Sequence, residues 1–170
     1  LNYTKGAGFF EQFKEGEDAA DFNNLIADGS DVIVRRWLDN DFYVVNFNTN
    51  YTTEKLNLIT GLSYSNYTGD HFGEVIWGSD LSANTNIRDR YYFSDAQKTD
   101  FSVFAKATFD INEKFSGYAD LQGRFVGYKT KGITSDIVPI DVDENFSFFN
   151  PKVGFTFKVN RKNNIYASFA

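Results

Sequence analysis

Alternating hydropathy, strand-length segments and two kinds of connection that take turns along the chain predict an all-β fold, an antiparallel transmembrane β-barrel segment of about seven long strands. Three polar turns are short, Thr52 to Lys55, Ile111 to Lys114 and Asn160 to Asn163. Three excursions are long, acidic and irregular, Lys14 to Val32, Gly69 to Ala96 and Lys129 to Asn145. Since short and long strictly alternate, antiparallel neighbours put every turn at one end of the sheet and every excursion at the other. Short turns on one side and long loops on the other are the periplasmic and extracellular ends of an outer-membrane barrel. The strands, roughly ten to fifteen residues each, reach the ~9–11 residues a tilted strand needs to cross a bilayer.

The elements follow in chain order. Leu1 to Phe13 is the weakest strand, interrupted by Gly6 and Gly8. Glu11 to Ala27 shows no helical stripe and reads as loop. Tyr43, Val45, Phe47 and Tyr51 alternate with Asn46, Asn48 and Asn50, and Leu56, Leu58, Leu62 and Tyr64 alternate with Asn57, Ser63 and Ser65. Phe101 to Phe109 sets apolar odd positions against Ser102, Lys106 and Thr108. From Phe115 to Gly127 the same parity opposes Asp120, Gln122 and Arg124. Val153, Phe155, Phe157 and Val159, then Ile165, Ala167 and Phe169, complete the series. Asn46, Asn48, Asn50, Asp120, Gln122 and Arg124 are expected to face a wet lumen, because a charge on the lipid side near the midplane costs ~2–4 kcal/mol. Tyr51, Tyr64, Tyr67, Phe109, Phe115 and Tyr128 fit interfacial girdles.

Composition narrows the chemistry. The 170 residues are 42% hydrophobic and 18% aromatic, with 19 Phe and 10 Tyr, yet 24% are charged; two-faced sheets reconcile these figures. No Cys is present, which excludes disulfides, thiolate catalysis and Cys-based metal centres. The lone histidine, His71, excludes a two-histidine site, and a net charge of −6 gives no footprint for nucleic acid. No uncharged run approaches the ~18 apolar residues of a membrane helix. The start at Leu1 without any Met reads as a processed form or a fragment.

Specific motifs sharpen the class. Phe149-Asn150-Pro151-Lys152-Val153-Gly154-Phe155-Thr156-Phe157 and Asn164-Ile165-Tyr166-Ala167-Ser168-Phe169 resemble strands of TonB-dependent outer-membrane receptors of Bacteroidetes type. Arg35 to Tyr43 and Gly69 to Trp77 look like the same group, so the resemblance covers nearly the whole chain. Nothing resembles the plug domain or TonB box, and such barrels have about 22 strands. The resemblance therefore implies that 1–170 is part of one receptor barrel domain without plug, an open curved sheet located in the cell outer membrane. It implies import of a scarce nutrient, an iron–siderophore or related chelate, with outer-membrane lipid and, through the missing plug, the TonB complex as partners. The alternatives are a TonB-independent barrel for adhesion or structure and a soluble β-rich ligand-binding domain.

No catalytic motif occurs: there is no Gly-x-Ser-x-Gly, His-Glu-x-x-His, Walker loop or Gly-x-Gly-x-x-Gly, and the chain is read as a non-enzyme without cofactor. Asp70-His71-x-x-Glu74 with Asp80, and the acids Asp136, Asp141, Asp143 and Glu144, read as solvated loop acidity, so no metal site is assigned. Ligand recognition is expected on the excursions, where rigid strands position loops, with Trp37, His71, Glu74, Trp77, Tyr91, Tyr92, Phe148 and Phe149 as the candidate contact residues; the alternative for the six aromatics is an outer girdle or packing of loop against loop.

Overall fold

The computed structural model describes all residues, 1–170. Seven strands form one open sheet in the order of the sequence: β1 (Asn2–Glu17), β2 (Ser30–Thr52), β3 (Leu56–Gly78), β4 (Arg90–Asp110), β5 (Phe115–Ile133), β6 (Pro139–Lys158) and β7 (Asn164–Phe169). Every neighbouring pair is antiparallel. The only helical element is one 3₁₀ turn, Ala19–Phe22. Only 15 of 170 residues are buried, so the sheet is a single layer with both faces open over most of its area.

The turns at one end are tight because side chains satisfy the backbone there. Asn112 Oδ1 accepts hydrogen bonds from the backbone N–H of Lys114 (2.9 Å) and Phe115 (3.0 Å). Asn160 repeats the arrangement with Lys162 (2.8 Å) and Asn163 (3.0 Å). Thr53 Oγ1 serves Leu56 N–H at 3.1 Å. These are Asx and Ser/Thr turns, in which a short side chain substitutes for a ladder partner.

At the opposite end, strand pairing runs further than hydropathy alone indicates. Residues 69–78 and 90–96 are paired strand, as are 129–133 and 139–145, leaving only 18–29, 79–89 and the five-residue turn 134–138 between strands. β1 likewise continues past Gly6 and Gly8 to Glu17, its pairing with β2 shifting register once, between Lys14 and Glu17. The reason lies in opposed charges on neighbouring strands. Lys129–Asp143 (2.8 Å), Lys131–Asp141 (2.9 Å) and Lys5–Asp39 (2.9 Å) are cross-strand pairs, which support a ladder while making each strand look like loop by composition.

The one compact core sits at this end. Phe22 and Ile26, from the connection after β1, pack on Val32, Val34, Val75, Tyr91 and Tyr92. Ile26 bridges Leu81, and the two connections are laced by Ala27 N–H to Asp80 O (3.1 Å) and Ser82 N–H to Leu25 O (3.1 Å). Gly73 makes room for the core, since a Cβ there would overlap the rings of Tyr91 and Tyr92.

Candidate functional site: a two-faced wall

Residues directly opposite each other in a ladder share a face, so the registers sort every side chain. One face is apolar. A row through its middle reads Phe47, Leu62, Val103, Gly123 and Phe149 across β2 to β6. The rows on either side continue it from Tyr43 to Tyr51 on β2, from Leu56 to Tyr64 on β3 and from Phe101 to Phe109 on β4. These side chains have nothing packed on them: Phe47 and Phe155 are each 57% exposed. Stacked aromatic pairs mark the margins, Tyr3–Tyr43 (4.7 Å between ring centroids) and Phe101–Phe125 (6.2 Å) toward the long connections, Phe115–Phe157 (4.7 Å) beside the turns. Beyond the upper margin the same face becomes charged, carrying the Lys5, Lys129 and Lys131 pairs described above. Asp141 beside Lys131 holds its ammonium above the usual lysine range. Further out, Phe9, Trp37, Phe72 and Phe93 occupy one row, with Arg35 over Phe9 (4.5 Å) and Arg90 over Phe72 (3.8 Å).

The other face is polar over the height of the apolar band. Three consecutive rows run Asn46, Ser63, Ser102, Arg124; Asn48, Gly61, Phe104, Gln122, Asn150; and Asn50, Ile59, Lys106, Asp120, Lys152. All six residues read from the sequence as lumen-facing therefore share this face. Arg124 holds Asp100 through Nε and Nη2, with Nε to Oδ2 at 3.0 Å, and Tyr118 donates to Asp120 (3.0 Å). Tyr67 and Tyr128 belong here too, in the row Phe42, Tyr67, Lys98, Tyr128 and Glu144. They are not girdle residues, in contrast to Tyr51, Tyr64, Phe109 and Phe115, whose parity puts them on the apolar face.

The eight aromatic and charged residues expected to contact ligand do not form one cluster. Trp37 and Glu74 lie on the apolar-face side, joined by Trp37 Nε1–H to Glu74 (3.2 Å), and Phe149 is on the same side. Trp77 stands opposite Ile33 near the long connections. His71 and Phe148 are on the polar face, His71 Nε2 lying 3.4 Å from the Tyr67 hydroxyl. Alternation therefore directs His71 away from Asp70 and Glu74. Tyr91 and Tyr92 are buried in the end core, where Arg36 Nε donates to the Tyr91 hydroxyl at 3.0 Å. Burial pushes the Tyr92 phenol up. Folding thus favours the neutral ring, a contribution complete below the ordinary value of 10.0 and lost as pH rises through the raised one.

Three features of this end escape a reading of the sequence alone: the Phe22 and Ile26 anchor, the Arg36–Tyr91 contact and the Tyr67–Lys98–Tyr128 row. The first carries a faint signal, apolar residues at 22, 25 and 26 inside an otherwise acidic stretch.

No protein-family model and no curated protein matches the sequence. Among solved structures, the chain is similar to the ferric-catecholate import receptor Fiu of E. coli K12 in its closed form, with 15% identity and a TM-score of 0.43. The match covers 98% of this chain but only 28% of that receptor, and a likeness at this level carries no argument about function. What the geometry itself establishes is an open, seven-stranded antiparallel wall with one bare apolar face and one polar face.

Proposed function

We propose that residues 1–170 are part of the wall of an outer-membrane receptor barrel that imports a scarce nutrient, such as an iron–siderophore or related chelate. The observation that carries the membrane reading is the bare apolar band. From Tyr43 to Tyr51 it is nine residues high on β2, about 27 Å along the strand and close to the ~25 Å apolar belt of outer-membrane barrels. Aromatic rings border it, and charges begin beyond its upper margin. A water-soluble sheet would need a second layer over such a surface, because contiguous apolar patches beyond a few hundred Å² are rare on soluble monomers. The polar face then lines the lumen, and the tightly tied end core stands at its mouth on the long-connection side.

The import role extends this reading through the resemblance of the β6 and β7 motifs. A plug outside residues 1–170 would gate the lumen and receive energy from the TonB complex. The test is uptake of radiolabelled ferric chelates by iron-starved cells with and without the gene. Loss of TonB-dependent uptake of at least one chelate, restored by the gene, is the expected result. Unchanged uptake of every chelate and a TonB-independent surface phenotype would replace it with the adhesive or structural role.

A further inference from the structure

The two faces treat their cations differently. On the apolar-face side, Lys5, Arg35, Lys129 and Lys131 are each ion-paired across strands, with Asp39, Glu11, Asp143 and Asp141. On the polar face only Arg124 is paired in this way, to Asp100. Arg36, Lys98, Lys106 and Lys152 have no carboxylate within 4 Å. Asp120, between Lys106 and Lys152 in its row, instead accepts from Tyr118. Apart from Arg90, which lies over Phe72 and Phe93 on the other side, a chain of net charge −6 thus turns its unpaired strand cations toward the face assigned to the lumen.

Lys98 is the best equipped of these for recognition. It is exposed and lies directly between Tyr67 on β3 and Tyr128 on β5. Tyr67 is held in place by donating to Asn40 Oδ1 at 2.7 Å. Glu144, the acid in this row, stands two strand spacings from Lys98, about 10 Å. An ammonium flanked by two phenols offers a point charge, the Tyr128 hydroxyl as a donor and two ring faces on one surface. Lys106 and Lys152 lie about 27 Å further toward the turns, eight residues along β4. Low-dielectric walls focus the field of such charges into the space they enclose.

We propose that the polar face is an anion-binding track with its principal station at Tyr67–Lys98–Tyr128, so that the imported solute presents carboxylate or comparable oxyanion groups to Lys98. The proposal rests on the membrane-wall reading above, and its test separates the two. Citrate serves as the probe and triethyl citrate as its uncharged counterpart. Binding is measured by equilibrium dialysis on the membrane-inserted protein at low ionic strength. Citrate should bind, weaken with added salt and resist competition by the ester. Lys98→Gln should weaken it about tenfold, the loss of one charge-assisted contact, Lys98→Arg should retain most of it, and Lys131→Gln, on the other side of the sheet, should leave it unchanged. Equal weakening by Lys131→Gln, effective competition by the ester, or wild-type binding in Lys98→Gln would overturn the station. Inserted protein that binds no citrate overturns this proposal alone; protein that does not insert overturns the wall reading and the proposal together.

Discussion

Val103→Arg should destabilise the bilayer-inserted protein by ~2–4 kcal/mol, the cost of a guanidinium facing lipid near the midplane. Val103 lies in the middle row of the apolar band and is 45% exposed with nothing packed over it. Gln122→Arg, one register row away but on the polar face, should be close to neutral, because there the charge meets water. Denaturant unfolding in phospholipid vesicles, followed by tryptophan fluorescence, compares the two. A water-soluble sheet predicts the reverse ranking of benefit: Val103→Arg would then be neutral or improve solubility. The difference between the two substitutions is more informative than either alone, since strand propensity and side-chain size are the same for the introduced residue.

The second large effect belongs to the end core. Phe22 is 1% exposed and Ile26 fully buried, and together they hold the connection after β1 onto β2, β3 and β4. Phe22→Ala should cost about 3 kcal/mol or more of local stability through lost burial and the cavity left behind. Hydrogen exchange at the Ala27 and Ser82 amides, which bond to Asp80 and Leu25, should then quicken at least about a hundredfold. Exchange in the Phe115–Gly127 part of β5 should stay as it was, because nothing there touches Phe22. Equal acceleration at both places would mean that the core and the wall unfold as one unit.

Much of the wall is legible in the sequence because a two-residue period survives any amount of polar substitution on one face. Asn46, Asn48 and Asn50 against Val45, Phe47 and Tyr51 already assign sides, and turn residues such as Asn112 and Asn160 mark where strands reverse. The strand extensions are hidden for a physical reason. Lys129 and Lys131 are matched by Asp143 and Asp141 only across the 134–138 turn, so each strand alone has the composition of a solvated loop. Tyr67 and Tyr128 were legible by parity, being out of step with Tyr64 and Phe125, but aromatic identity points toward a girdle. Ligand residues are the least legible. Alternation turns His71 and Glu74 to opposite faces despite their closeness in sequence, and the approach of Lys98 to two tyrosines depends on the registers of β3, β4 and β5 together.

The most direct measurement uses the absence of cysteine from the chain. Single cysteines placed from residue 43 to 51 in the membrane-inserted protein, each carrying a spin label, report contact with oxygen dissolved in lipid or with an aqueous nickel chelate. A lipid-exposed wall gives a period of two, with 43, 45, 47, 49 and 51 facing lipid and 44, 46, 48 and 50 facing water. Uniform aqueous contact, or lipid contact at the even positions, would contradict the assignment of the two faces and the barrel reading with it.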